Sequence, residues 1–309
     1  MLLKPLLQSR VAAAPAIAPA DALACLRFDT DAGGDLEFVH RVPLPRLGED
    51  RLEVWPATAP VRRYQAHGYA CAEDGEHLFF WRIDDAAADI EAAAETAYRD
   101  LLALCADSGY LELLRIWNYF DRVTAGDGDD ERYRRFCVGR HRVLASPDFE
   151  RRLPAATLIG TAVPGLQLYG FASRTAGLQV ENPRQTSAFR YPREYGPSSP
   201  SFSRGTRYGE LLLVSGTAAI VGHQTQHPHA VMPQARAMLD NVRALLRNAG
   251  PEHWRPVLLR LYLRSADESA AVIAEIRAAF GDDAPLLVVE GEVCRRDLLV
   301  EIEGVFAAA

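Results

Sequence analysis

One arrangement of segments occurs twice in this chain, and that constrains the fold more than any single stretch. Residues 77–82 read as a strand. Asp84 and Asp85 offer a helix start, and apolar residues recur at helical spacing through Ile90, Ala94, Ala97, Leu101, Leu102 and Cys105 to a stop at Ser108-Gly109. Residues 111–120 read as a strand, 125–130 as an acidic loop, 131–143 as a second helix, and 157–160 and 166–171 as closing strands. The same order returns as strand 210–216, helix 233–248, strand 257–263, helix 267–280 and strands 286–289 and 298–306, offset by roughly 130 to 145 residues. The expected fold class is α+β: two tandem units, each a mixed sheet backed by two helices. The expected divisions are an N-terminal extension (1–60) with short strands at 36–39 and 52–55, a first unit (61–175), a connecting segment (176–205) and a second unit (206–309).

The last strand carries the most suggestive chemistry. Side chains alternate across a strand, so Leu298, Val300, Ile302 and Phe306 share one face, and Leu299, Glu301, Glu303 and Val305 the other. A carboxyl among apolar neighbours ionises reluctantly, which suits it to donate a proton near neutral pH. Two ordinary surface glutamates are the plainer reading of the same stretch. Aligning Gly304 with Gly170 sets Glu301 opposite Gln167 and Glu303 opposite Tyr169, so only the second copy bears acid. One working site per chain is the expectation.

The connecting segment is unusual. Residues 181–204 hold four prolines, four arginines and four aromatics. That is too aromatic for a flexible linker and fits a stiff, ligand-lining loop, with arginines for carboxylates and Tyr191, Tyr195 and Phe202 as a flat wall. A connector packed on the surface is the alternative. Gly216, at a strand end, would let ligand or backbone come close.

Charge and cysteines narrow the class further. A net charge of −7 argues against broad nucleic-acid binding. The five scattered cysteines, without a CxxC pair, read as reduced thiols of a cytoplasmic protein. The apolar N-terminus is interrupted at Pro5, Gln8, Ser9, Arg10 and Pro15, unlike a secretory signal, and no run is long enough to span a membrane. His223, His227 and His229 have crude metal-ligand spacing but no neighbouring cysteine, and no metal is expected.

At this point a resemblance becomes specific. The second copy resembles the RidA (YjgF) superfamily through residues 212–218, Gln234, Leu239, Asn241 and residues 300–304. The whole chain, over roughly residues 60 to 306, resembles the chorismatase / 3-hydroxybenzoate synthase family. The matching motifs are residues 115–119, 132–140 and 181–204, and Cys294 seven residues before Glu301. The resemblance implies tandem RidA-like (chorismate mutase-like) units that cleave chorismate without metal or organic cofactor, releasing pyruvate. It implies Glu301 as the acid and Cys294 as the mark of hydroxybenzoate-forming members, where hydrolytic ones have alanine. Arg204, Arg140, Arg184, Tyr191 and Gly216 are the expected substrate-binding residues. The product implied is 3-hydroxybenzoate, with 4-hydroxybenzoate as well in the bifunctional branch that feeds pigment and ubiquinone precursors. A hydrolytic chorismatase, a RidA-type imine or enamine deaminase and a non-enzymatic binding module are the alternatives. The deaminase usually needs an arginine in the strand before its glutamate, and residues 285–289 lack one. RidA-like units form trimers with sites at subunit junctions; two fused units leave both a monomer and an oligomer open.

Overall fold

Three sheets share one central core. The structure, a computed structural model, describes residues 10–13, 21–30, 38–85, 87–146, 149–250 and 253–309. The N-terminal sheet has β1 (Arg10–Ala13), β2 (Ala22–Phe28), β3 (Val39–Val42) and β4 (Arg51–Pro56) in the order β1-β4-β2-β3. The strand expected at 36–39 begins at Val39; Leu36 and Glu37, like the apolar N-terminal stretch up to Ser9, lie outside the described residues.

The first unit follows as β5 (Arg62–Ala66), β6 (Tyr69–Glu73), β7 (His77–Asp84), α1 (Ile90–Ser108), β8 (Glu112–Asp121), α2 (Arg132–Leu144), β9 (Ala155–Thr161) and β10 (Leu166–Ser173). The second comprises β11 (Leu178–Val180), β12 (Gly205–Tyr208), β13 (Leu211–Ala218), the small hairpin β14 (Ile220–Val221) and β15 (Gln224–Thr225), α3 (Val231–Ala249), β16 (Trp254–Leu263), α4 (Ser269–Phe280), β17 (Leu286–Glu290), β18 (Glu292–Val293) and β19 (Val300–Ala308). The sheets run β18-β9-β8-β10-β7-β6-β5 and β11-β12-β13-β19-β16-β17. Leaving out β18, the two orders match strand for strand, each with one parallel pair, β8–β9 and β16–β17. The fold is thus the α+β pair of mixed sheets, each backed by two helices, that the repeated pattern predicts.

Local chemistry explains the boundaries. Helix α1 starts later than Asp84-Asp85 because Asp84 still pairs with Leu166 in the sheet. Asp89 instead caps it, accepting hydrogen bonds from the backbone N–H of Glu91 and Ala92. Gly109 ends it at φ 75°, a left-handed conformation that costs glycine least. Pro233 sits in the first turn of α3, where its missing N–H leaves no bond unmade.

Each helix pair covers the outer face of its own sheet. The inner faces pack on each other and on Leu26, Phe28 and Trp55 of the N-terminal sheet. Strand β18 of the second unit extends the first sheet through β9. No helix among the described residues is long and apolar enough to cross a membrane.

Candidate active site

Alternation along β19 sends Val300, Ile302 and Phe306 into the helix-covered core, and turns Glu301 and Glu303 inward between the sheets. These two carboxyls, two residues apart, meet opposite environments.

Glu303 is 3 % exposed and enclosed by donors. Arg115, Arg260 and the Thr157 hydroxyl all donate to it, as do Trp117 Nε1 (2.7 Å) and the Tyr262 hydroxyl (2.9 Å). Arg260, itself 0 % exposed, also pairs with Glu53, which accepts from Trp55 Nε1 at 2.6 Å. Two carboxylates and two guanidiniums thus balance inside the core. Burial alone would raise the Glu303 pKa, but Arg260 and Arg115 reverse it, and the carboxyl titrates below its ordinary value.

Glu301 is 5 % exposed and has none of these partners. Burial pushes its pKa up to about 8, the negative charge of Glu303 adds to the rise, and Arg115 and Arg204 only partly oppose it. It therefore holds its proton at neutral pH. Of the two carboxyls, Glu301 alone lines a cavity with a proton to give; Glu303 is locked in the ion-pair network.

A β-bulge positions this acid. The pairing of β13 with β19 passes from Val214–Gly304 to Thr217–Ile302, so Ser215 and Gly216 together bulge opposite the single residue Glu303, while Glu301 pairs with Ala218. A Cβ on Gly216 would collide with Glu301 Oε1. Only glycine leaves that space to the carboxyl. The Gly216 N–H donates to Thr157 Oγ1 (2.9 Å), and Thr157 in turn donates to Glu303. A strand of the first unit therefore fixes the site of the second.

Glu301 and Gly216 open on a cavity of about 320 Å³. Helix α2 contributes Arg134 and Arg140, with Glu131 just before it; the 181–204 segment contributes Tyr191, Tyr195, Phe202 and Arg204. The turn before β19 adds Cys294, Arg295 and Arg296. Arg204 donates to the Tyr191 hydroxyl (2.8 Å) and the Thr186 carbonyl (2.7 Å), and its charge lies over the Tyr191 and Phe202 rings. Arg295 lies 4.2 Å over the Tyr195 ring. Arg140 and Arg204 are both buried, and the Nε of each has no hydrogen-bond partner among the described residues. Burial pushes the Cys294 thiol up to about 12, so it is a neutral thiol and not a thiolate.

Six of the seven residues singled out in the sequence, Glu301, Cys294, Arg204, Arg140, Tyr191 and Gly216, line this one cavity. Arg184 does not. Its guanidinium turns to α3, donating to Asn241 Oδ1 (3.0 Å) beside Asp240 (3.8 Å), so its role is to dock the segment on the helix. Of the three histidines only His229 reaches the cavity; no group of three metal-binding side chains occurs among the described residues. Sequence reasoning missed Arg295, Arg134, Glu131 and Thr157. Arg295 adjoins Cys294 and could have been flagged, whereas Thr157 matters only because the two sheets meet. In the first copy, Gln167 donates to the Arg41 carbonyl (2.7 Å), and Tyr169 is stacked between Trp81 and Trp117. These rings belong to the central core between the sheets.

A fold of two fused α+β units with a protonated acid facing clustered arginines defines an enzyme-type site for a small anionic ligand. A family model described as "Chorismatase FkbO/Hyg5-like, N-terminal" matches residues 53–172. A 3-hydroxybenzoate synthase of Streptomyces hygroscopicus is 33 % identical over 277 residues, covering 83 % of this chain and 82 % of that protein. A chorismatase of Streptomyces rapamycinicus is 32 % identical over 280 residues, covering 85 % and 84 %. A chorismatase crystal structure superposes with a TM-score of 0.85 at 29 % identity, covering 97 % of this chain and 98 % of that one. The chain belongs to the chorismatase family.

Proposed function

We propose that this chain cleaves chorismate to 3-hydroxybenzoate and pyruvate. The observation that carries the reading is Glu301, a buried carboxyl still protonated at neutral pH and facing an arginine-lined cavity. Chorismate bears two carboxylates, an enol ether and an allylic alcohol. The enolpyruvyl oxygen leaves poorly until its vinyl methylene is protonated, and Glu301 supplies that proton. Arg140 and Arg204 bind the two carboxylates, each of which would satisfy an otherwise unpaired buried Nε. Tyr191 and Phe202 give the ring a flat wall. The C4 hydroxyl then displaces the C3 oxygen, and the epoxide-like product aromatises.

Incubation with chorismate is expected to release pyruvate and an aromatic acid, and the ratio of 3- to 4-hydroxybenzoate is read from the same run. An imino acid is expected to be left unchanged, because β17 offers no arginine to a deaminase site. Absence of pyruvate would refute the assignment. The five cysteines are scattered through the sequence without a CxxC pair, and on that ground we place the protein in the reducing cytoplasm.

Two variants probe the site's construction. Cys294→Ala opens room for water beside the acid, and is expected to divert product to the dihydroxycyclohexadiene carboxylate of hydrolysis. Chromatography that still shows only hydroxybenzoate would remove the cysteine from product control. Gly216→Ala puts a methyl where the Glu301 carboxyl lies. Turnover should fall by about 100-fold, the order expected for displacing a reacting group by 1 Å. A variant as fast as the parent would show that the bulge does not position the acid.

A further inference from the structure

We propose that Glu131 is the proton acceptor of the reaction, acting across the cavity from Glu301. This rests on the reading of chorismate cleavage above. Three carboxyls line the cavity: Glu301, Asp297 and Glu131. Asp297 is engaged, its carboxylate accepting from the Thr225 hydroxyl (3.3 Å). Glu131 stands at the cap of α2 with φ −57° and ψ 130°, yet its side chain makes no capping hydrogen bond. It forms no ion pair among the described residues, although Arg134, Arg295 and Arg296 line the same cavity. Its acidic neighbours are paired: Asp129 with Arg193, Asp127 with Arg296, and Glu292 with Arg264. A half-buried carboxylate that every nearby arginine leaves free is available to ligand.

Its surroundings suit the role. Arg134 faces it from its own helix, and Arg295, Arg296 and Glu292 from the segment before β19. The thiols of Cys137 and Cys294 also feel its charge. Burial raises its pKa more than the three arginines lower it. Cys294, which lines the same cavity as Glu301 and Glu131, feels the charge of both.

The chemistry needs such a group. When Glu301 gives its proton to the methylene, the C3–O bond breaks and its electron pair passes to the departing pyruvate. The C4 oxygen bonds to C3, and its proton must leave; Glu131 takes it. When the epoxide opens, its oxygen gains a proton and C3 loses one. Solvent returns the Glu131 proton to Glu301 between turnovers, so chorismate becomes hydroxybenzoate and pyruvate with no net proton change.

The test is Glu131→Gln in the full chain, with pyruvate release followed across pH. The expected result is a fall in kcat of about 10²- to 10⁴-fold with KM within a few-fold. The acidic limb of kcat/KM should vanish, the alkaline limb set by Glu301 should remain, and Glu131→Asp should recover part of kcat. The unfolding midpoint should not move, because the side chain holds neither a cap nor an ion pair. A kcat within threefold of the parent, a loss confined to KM, a retained acidic limb or a lowered midpoint would each overturn this role alone. A parent chain that releases no pyruvate from chorismate would overturn both readings together.

Discussion

Glu301→Gln is expected to lower kcat on chorismate by about 10²- to 10⁴-fold, the usual worth of a positioned general acid. The change is nearly isosteric, so the cavity and its arginines should persist and KM should move little. The pH dependence gives a second check. The acid form works, so kcat/KM of the parent should decline as pH rises through about 8, where Glu301 loses its proton. In the glutamine variant that decline should disappear along with most of the rate. Near-normal turnover in the variant, or a parent rate still climbing at pH well above the Glu301 pKa, would mean that another group delivers the proton.

The second large effect concerns stability. Arg260→Met removes the cation shared by Glu303 and Glu53, in a place where neither carboxylate can reach water. Breaking a buried ion pair from one side costs about 3–5 kcal/mol, because the charge left behind is unpaired. The melting temperature should fall by on the order of 10 °C. Adding Glu53→Gln to the same chain should restore part of the loss by removing the stranded charge, because Glu303 keeps Arg115. Denaturant curves in which the single variant loses less than about 1 kcal/mol would show that the network is not what holds the sheets together. The Glu303 carboxyl titrates low when folded, so its contribution is present above the ordinary glutamate range and is lost as pH falls through the folded pKa.

Much of the fold was legible because the signals were local. The α1 stripe from Ile90 to Cys105 and its Gly109 stop follow from spacing and backbone freedom, and so does the alternation that separates Val300 and Ile302 from Glu301 and Glu303. The burial of Glu301 was legible through its apolar neighbours. The partners were not. Nothing local announces that Arg115 and Thr157, 188 and 146 residues away, would hold Glu303 and leave Glu301 alone. Arg184 misled because composition marks a ligand-lining segment without saying which arginines turn inward. The start of α1 was misjudged because Asp84 and Asp85 look like caps, whereas pairing of Asp84 with Leu166 keeps the strand going.

Strand β18 crosses from one unit to the sheet of the other, while Arg115 and Thr157 reach back to grip β19. The half without counterparts of Glu301 and Glu303 is therefore no spare copy free to decay. A nick near Gly177 would yield two fragments, each missing an edge or an anchor, and only their complex would regain turnover. In this sense the chain is an obligate heterodimer whose two subunits happen to be joined by a peptide bond.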